Sequence, residues 1–309
     1  MSRLSVVAML LAAEVLIAGM AVYAVGRNGA TFAAGMHHSD FVPSSIAPVA
    51  AGSAPHVVID DGASRVAVSR SDDGLVHVND LTQMRGAIFS GGPYPHLRVT
   101  RTPDGVRIER PRAPDISFFV FGFSVQKIEV QVPAGARVEI ARCAGADVTG
   151  VAGGVSVHST DGHVTLADLS GSVDVRSDDG YVKATNVRGD RLALESEDGH
   201  LALDDVAVAS LQGTTRDGRI EAEGLSVSRD ASLQTSDGSV RVTLAPSADL
   251  TIDASTRDGN ISVDGSTVDG DDSAQRTVRV GAGTGQMRLA TADGSIHIFT
   301  NGESQDHGL

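Results

Sequence analysis

From His163 onward the chain alternates apolar and polar positions with a period of two, breaks at a small or acidic residue, and alternates again. "HVTLADLSGSVDVRSDDG" (163–180) sets Val164 and Leu166, then Leu169, then Val173 and Val175 on one side. "YVKATNVRGDRLALESEDG" (181–199) repeats the scheme with Val182, Ala184, Val187, Leu192 and Leu194, and "HLALDDVAVASLQGTTRDG" (200–218) follows it. Such alternation predicts two short strands per unit, each with one aliphatic face, and no stripe at helical spacing competes with it.

Asp-Gly pairs punctuate the units. They begin at Asp161, Asp179, Asp198, Asp217, Asp237 and Asp258, in steps of 18, 19, 19, 20 and 21 residues, and a step of 35 then leads to Asp293. A near-constant period of about 19 residues predicts an all-β solenoid, β-helix-like, in which each coil stacks on the last and lends it ladder hydrogen bonds. About six small aliphatics per coil, at roughly 1.5–3 kcal/mol each, do not offset the ordering of some 19 residues at about 1–2 kcal/mol per backbone. The array is therefore the folding unit.

Alternation with one "SDDG" also runs through 56–80, and strand-like text resumes at 97–110 and 127–140. The predicted repeat domain is 56–299. Within it, 84–124 reads as a cap or insertion and 264–286 as a hairpin excursion that lengthens the last step. Phe118, Phe119, Phe121 and Phe123 lie in that insertion. Two roles are open for them, a plug on the first coil or a patch that meets a partner or membrane.

"LSVVAMLLAAEVLIAGMAVYAVG" (4–26) is apolar apart from Glu14. As a helix it is long enough to cross about 30 Å of hydrocarbon. Residues 1–26 read as a transmembrane anchor, with a signal peptide cleaved after Ala24-Val25-Gly26 as the other reading. Residues 27–55, rich in Ala, Gly, Ser and Pro, read as a flexible linker, and 300–309 as a disordered tail. The expected location is a bacterial membrane, single-pass, with the β domain outside the cytoplasm, in the periplasm or at the cell surface.

Composition narrows the partners. The net charge of −14 and the lack of a basic stripe with interleaved aromatics argue against nucleic acid. The single cysteine, Cys143, excludes an internal disulfide and a cysteine-based zinc site.

The valine-rich strand ending in "VPAGA" (132–136), the train of Ser/Thr-x-Asp-Gly turns and the closing "GAGTGQMRLATADGSIHI" (281–298) resemble the bacterial "putative adhesin" family. That family is a β-strand-repeat domain of unknown function on cell-envelope proteins, often behind one transmembrane helix. The resemblance implies a β-solenoid-like envelope domain and carries no catalytic residues over.

No nucleophile elbow, phosphate loop or calcium loop of the helix-loop-helix kind is present in the text. No catalytic residue and no cofactor is expected. The glycines of the corners, Gly162, Gly180, Gly199, Gly218, Gly238, Gly259 and Gly294, are structural, since Gly turns the chain without steric cost and Asp bonds nearby amides. Stacking would align Asp161, Asp179, Asp198, Asp217, Asp237 and Asp258, with neighbours repelling by roughly 1 kcal/mol in water. Two readings stand, a corner alone or a corner whose row also holds calcium. The residues after the first glycines, His163, Tyr181, His200 and Arg219, would form a second ladder, read either as incidental turn flanks or as a shallow glycan or peptide groove, and the expected partner is an envelope protein or a glycan. The expected function is a non-catalytic, adhesin-like binding or scaffolding module tethered to the envelope. The alternatives are a carbohydrate-active β-helix enzyme and an envelope-stress sensor whose Glu14 pairs the helix with another membrane protein.

Overall fold

A computed structural model describes residues 35–90, 94–111, 117–270 and 273–300, and every element in it is a strand. The chain divides into two units. In the smaller, Gln83–Ser90 lies between Gly35–Phe41 and Ser117–Val125 in a three-stranded sheet, antiparallel to Gly35–Phe41 with Gly35 opposite Ser90. The Phe-rich stretch 118–123 thus belongs to a strand of that sheet. Residues 4–26, read as an anchor, lie outside the described residues. Among those described, no helix is long and apolar enough to cross a membrane.

The larger unit holds the repeat. Its strands stack parallel and in register, so the apolar positions of successive units become columns. Val164 pairs with Val182, Val182 with Leu201, Leu201 with Ile220 and Ile220 with Val240. On the other arm Val173, Leu192 and Leu211 form an equivalent column. These side chains are 0–2 % exposed and belong to one continuous core cluster. Volume is balanced along the columns. Gly213 sits between Leu194 and Leu233, and a Cβ there would stand 2.7 Å from Leu233 Cδ2.

The coils are subdivided more finely than two strands. Asp168, Asn186, Asp205 and Gly224 follow one another at the period of the repeat, with φ between 51° and 63°. Each is a left-handed bend inside what alternation reads as one strand. Asn and Asp tolerate this conformation through local hydrogen bonds and Gly adopts it freely. The Asn186 amide donates to Asp168 Oδ1 at 2.6 Å, joining one bend to the next.

Stacking departs from chain order at both ends. Gly285–Asp293 lies between the arm 230–237 and the arm 250–258, pairing with both. Ile296–Phe299 is inserted in the same way between Val240–Leu244 and 261–263. The coil of Asp258 therefore does not stack on that of Asp237; the coil of Asp293 separates them. The cause is the excursion at 264–286. Ser266–Gly270 and Ala274–Val280 both run antiparallel to Leu250–Val263, and the chain then re-enters on the far side of that strand. Asp264 (φ 46°) and Gly265 (φ 81°) make the tight turn that starts it, since both central residues of a two-residue hairpin loop of this type need positive φ.

"GAGT" (281–284) is the loop that straddles the strand. Asp249 Oδ1 accepts from the Gly283 and Thr284 amides, and the Thr284 hydroxyl donates to Asp249 Oδ2 at 2.9 Å. The amino-terminal end repeats the device. His56–Asp60 lies between Gly105–Glu109 and Arg137–Cys143, and "PAGA" (133–136) crosses over, with the Arg137 amide donating to Pro55 O at 2.9 Å.

Three boundaries differ from the expected ones. The predicted cap or insertion 84–124 is interrupted, for Arg98–Thr102 and Gly105–Glu109 belong to the larger unit, where Gly105–Glu109 pairs with His56–Asp60. The predicted linker 27–55 contains Ser44–Val49, which pairs antiparallel with Val76–Asp80, and Ile46 and Val49 pack on the core. Its Ser and Pro content suits an edge strand as well as a tether. Of the predicted tail, Thr300 is fixed, its hydroxyl donating to Asp264 Oδ2 at 2.7 Å. Residues 301–309 lie outside the described residues.

Candidate functional site

Each corner of the repeat is built from Ser/Thr-x-Asp-Gly, and its first residue does more than the alternation suggests. Thr215, Thr235, Thr256 and Thr291 are buried. Their hydroxyls donate to the carbonyls of Gly199, Gly218, Gly294 and Gly238 in the adjoining coils at 2.9–3.0 Å. A hydroxyl two residues before every Asp was the available signal, and its partner could be named only once the stacking order was known. Where serine replaces threonine the bond changes. Ser177 donates to its own Asp179 carbonyl at 2.9 Å, and the buried Ser196 hydroxyl has no partner among the described residues.

The corner glycines lie against each other. A Cβ on Gly199, Gly218, Gly238, Gly259 or Gly294 would stand 1.9–2.1 Å from the carbonyl oxygen of the corner glycine next to it. On Gly180 the same distance is 2.3 Å to Gly162 O, and on Gly162 it is 2.5 Å to Ala144 O. The ladder continues through the corner, for the Gly218 amide donates to Asp237 O at 3.1 Å and the Gly238 amide to Asp293 O at 2.9 Å.

The carboxylates do line up, in an order set by the inserted coil. Asp179 is in register with Asp198, Asp217 with Asp237, Asp237 with Asp293 and Asp293 with Asp258. Asp161 occupies the preceding corner and is exposed. Among the described residues no group of three His, Cys, Asp or Glu is arranged to hold a metal ion. Slight desolvation within the row, together with Asp217 and Asp293 on either side, holds the exposed Asp237 carboxyl above its ordinary value of 3.8. A carboxyl whose folded pKa is raised contributes stability that is present at low pH and lost as pH rises through that pKa. Asp237→Asn is therefore expected to raise the urea midpoint at pH 7, with the gain narrowing as the pH approaches about 3. A midpoint lowered at pH 7 would show that the charge is held by a partner, a bound cation included.

The second ladder also forms. The His163 and Tyr181 rings are 6.0 Å apart, edge to face at 83°, and the Tyr181 and His200 rings are 5.8 Å apart and tilted by 42°. Ladder bonds on either side, Val164 N to Tyr181 O and Val182 N to His200 O, both 2.9 Å, fix this spacing. Arg219 is next in the row, and its guanidinium meets Glu221 at 3.1 Å. Tyr181 is half-buried, and burial, with Glu221 nearby, pushes its phenol pKa up. The three rings thus form one aromatic line beside an ion pair on an acidic protein.

A separate cluster is buried. Arg110 donates to Asp61 Oδ2 at 2.7 Å, to both oxygens of Asp80 at 3.0 Å and to the Thr82 hydroxyl at 3.2 Å. The Arg110 and Asp61 side chains are 3 % exposed and that of Asp80 1 %. Burial opposes the charge on Arg110, but its bonds to Asp80 and Asp61 outweigh this and raise its pKa. The first Asp-Gly of the chain, Asp61-Gly62, is thus an internal ion-pair site, unlike the exposed corners after it.

Parallel coils of near-constant length with hydroxyl-stitched glycine corners, capped by inserted coils, define an all-β repeat protein of the solenoid-like kind. The chain belongs to the Toastrack DUF4097 family, whose pattern it matches over residues 56–299. Solved structures of similar chains include a "putative cell adhesion protein" from Clostridium sporogenes ATCC 15579, at 10 % identity and TM-score 0.28 over 86 % of this chain and 100 % of that one. A "putative adhesin" from Bacteroides fragilis NCTC 9343 has 10 % identity and TM-score 0.28 over 83 % and 96 %. A "putative lipid binding protein" from Parabacteroides distasonis ATCC 8503 has 13 % identity and TM-score 0.37 over 85 % and 95 %. No curated protein matches the chain.

Proposed function

We propose that the protein is a non-catalytic, adhesin-like binding and scaffolding module of a bacterial cell envelope, held at the membrane by residues 4–26 and displayed outside the cytoplasm. The observation that carries this reading is the line His163–Tyr181–His200, which ends at Arg219. Aromatic rings at coil spacing offer apolar faces with polar tips, and Arg219 and Glu221 add a donor and an acceptor at one end. Such a line suits an extended glycan, whose sugar rings have apolar faces and hydroxyl edges. The segment 4–26, with Glu14 as its one charge, supplies a span of sufficient length.

The test is the full chain reconstituted in lipid vesicles and presented to an array of envelope polysaccharides. The protein is expected to float with the vesicles and to bind at least one glycan, and Tyr181→Ala is expected to weaken that binding about tenfold, or roughly 1.4 kcal/mol. Protein that stays out of the vesicle fraction removes the tether. Binding unaffected by Tyr181→Ala removes the ladder, and release of reducing ends makes the protein an enzyme.

A further inference from the structure

The arm 191–198 presents a groove that the repeat does not require. Leu192 and Leu194 are buried in the core, so the pleat directs Ala193 outward, yet Ala193 is only 8 % exposed. Its neighbours in register are Asp174 and Gln212, both longer, so a methyl between them leaves a dent in the sheet surface. The resulting groove has a volume of about 220 Å³. Arg176 and Glu195, paired at 3.5 Å, stand along one side. Arg191 and Asp174 also line it, and the side chain of neither makes an ion pair or hydrogen bond among the described residues. One free cation and one free anion therefore face the same small hollow. They are kept apart by register, for Asp174 lies beside Ala193 while Arg191 is two residues back along the strand, roughly 7 Å.

We propose that this groove binds an amino-acid zwitterion of the size of a dipeptide, its carboxylate on Arg191 and its ammonium on Asp174. A group with charges of both signs at a fixed separation neutralises both side chains, which an uncharged sugar, a simple anion or a simple cation does not. The volume is below the range of drug-sized pockets and admits a small ligand only. The groove is open, so its charges stay partly screened and the affinity falls in the millimolar range. The site lies on a different arm from the aromatic line and does not rest on the glycan reading.

The experiment is ligand-observed saturation-transfer NMR of the full chain in detergent micelles, with Ala-Ala as the probe. Three blocked forms are compared, N-acetylated, C-amidated and both. Saturable binding of Ala-Ala, at least about fivefold weaker when either end is blocked, is expected. Arg191→Gln should abolish the penalty for amidation and leave that for acetylation, and Asp174→Asn should do the reverse. Both side chains are at the surface, so the thermal midpoints of the variants should match the parent and exclude misfolding. Equal binding of free and doubly blocked peptide, dependence on one end only, or no saturation up to about 50 mM would each overturn the proposal, since a millimolar site is near full occupancy at that concentration.

Discussion

Arg110→Met is expected to lower the stability of the protein by about 3–5 kcal/mol, the usual cost of removing one partner from a buried ion pair. The substitution keeps most of the aliphatic volume and removes the charge. Asp61 and Asp80, each with a side chain 3 % exposed or less, would then be two carboxylates in the core without a cation. Ser64 would still donate to Asp61 at 2.8 Å and the Thr82 amide to Asp80 at 3.1 Å, and neither neutral donor compensates a buried charge. For a domain of this size the midpoint of thermal unfolding should fall by roughly 6–20 °C at pH 7. Adding Asp61→Asn and Asp80→Asn to Arg110→Met should recover much of the loss, because the three groups act as one network. The exposed pair of Arg65 with Asp147, at 2.8 Å and 45 % and 38 % exposed, is the control, and breaking it should cost about 1 kcal/mol or less. An Arg110→Met midpoint within about 2 °C of the parent would mean that the cluster holds water or a cation in solution.

This network shows where local pattern stops being informative. Asp61, Asp80 and Arg110 lie far apart in the chain, and nothing near any of them announces the other two. By contrast the coil itself is legible, because both its signals are local. Alternation specifies which side chains enter the columns, and Asp-Gly specifies where the chain turns, so Val182, Leu192 and Leu194 can be assigned to the core from text alone. The left-handed bends at Asp168, Asn186, Asp205 and Gly224 had a signal too, an Asx or Gly residue at constant spacing inside each alternating run. It is easily absorbed into the general richness of the chain in Asp and Gly. The order of the last coils had none. Thr235, Thr256 and Thr291 introduce equivalent corners, so the coil of Asp258 and the coil of Asp293 fit equally well beside that of Asp237 as far as the corner motif goes. Only the return of 264–284 along Leu250–Val263 decides between them. Of the binding candidates, the ring line was legible because one residue after each corner stacks in register. The groove at Ala193 was not, since it depends on a small side chain lying beside larger ones in the coils on either side.

Gly218→Ala should be among the most damaging single methyls that can be added to the surface of the repeat, and it separates the two halves of the Asp-Gly pair. The new Cβ would stand 1.9 Å from Gly199 O and 2.8 Å from Gly199 C, both backbone atoms of the next coil. Neither can move aside as the end of a flexible side chain would, because the coil of Gly199 is itself held on both sides. Relief requires the corner to lift away from its neighbour. That motion strains the bond from Thr215 Oγ1 to Gly199 O at 3.0 Å and the bond from the Gly218 amide to Asp237 O at 3.1 Å. Overpacking at about 1–3 kcal/mol and two weakened hydrogen bonds at about 0.5–1.5 kcal/mol each give an expected loss of roughly 2–6 kcal/mol. Two comparisons isolate the cause. Gly265, at φ 81° with nothing within 4 Å of a Cβ, should lose only the conformational cost of about 1–2 kcal/mol when replaced by Ala. Asp217→Ala, at an exposed side chain, should stay within about 0.5 kcal/mol of the parent. Urea midpoints ranked Gly218→Ala lowest, Gly265→Ala next and Asp217→Ala near the parent would assign the corner to close packing of glycine backbones under a threonine hydroxyl. The reverse ranking, with Asp217→Ala the most damaging, would assign it to the carboxylate and reopen a bound ion along the row.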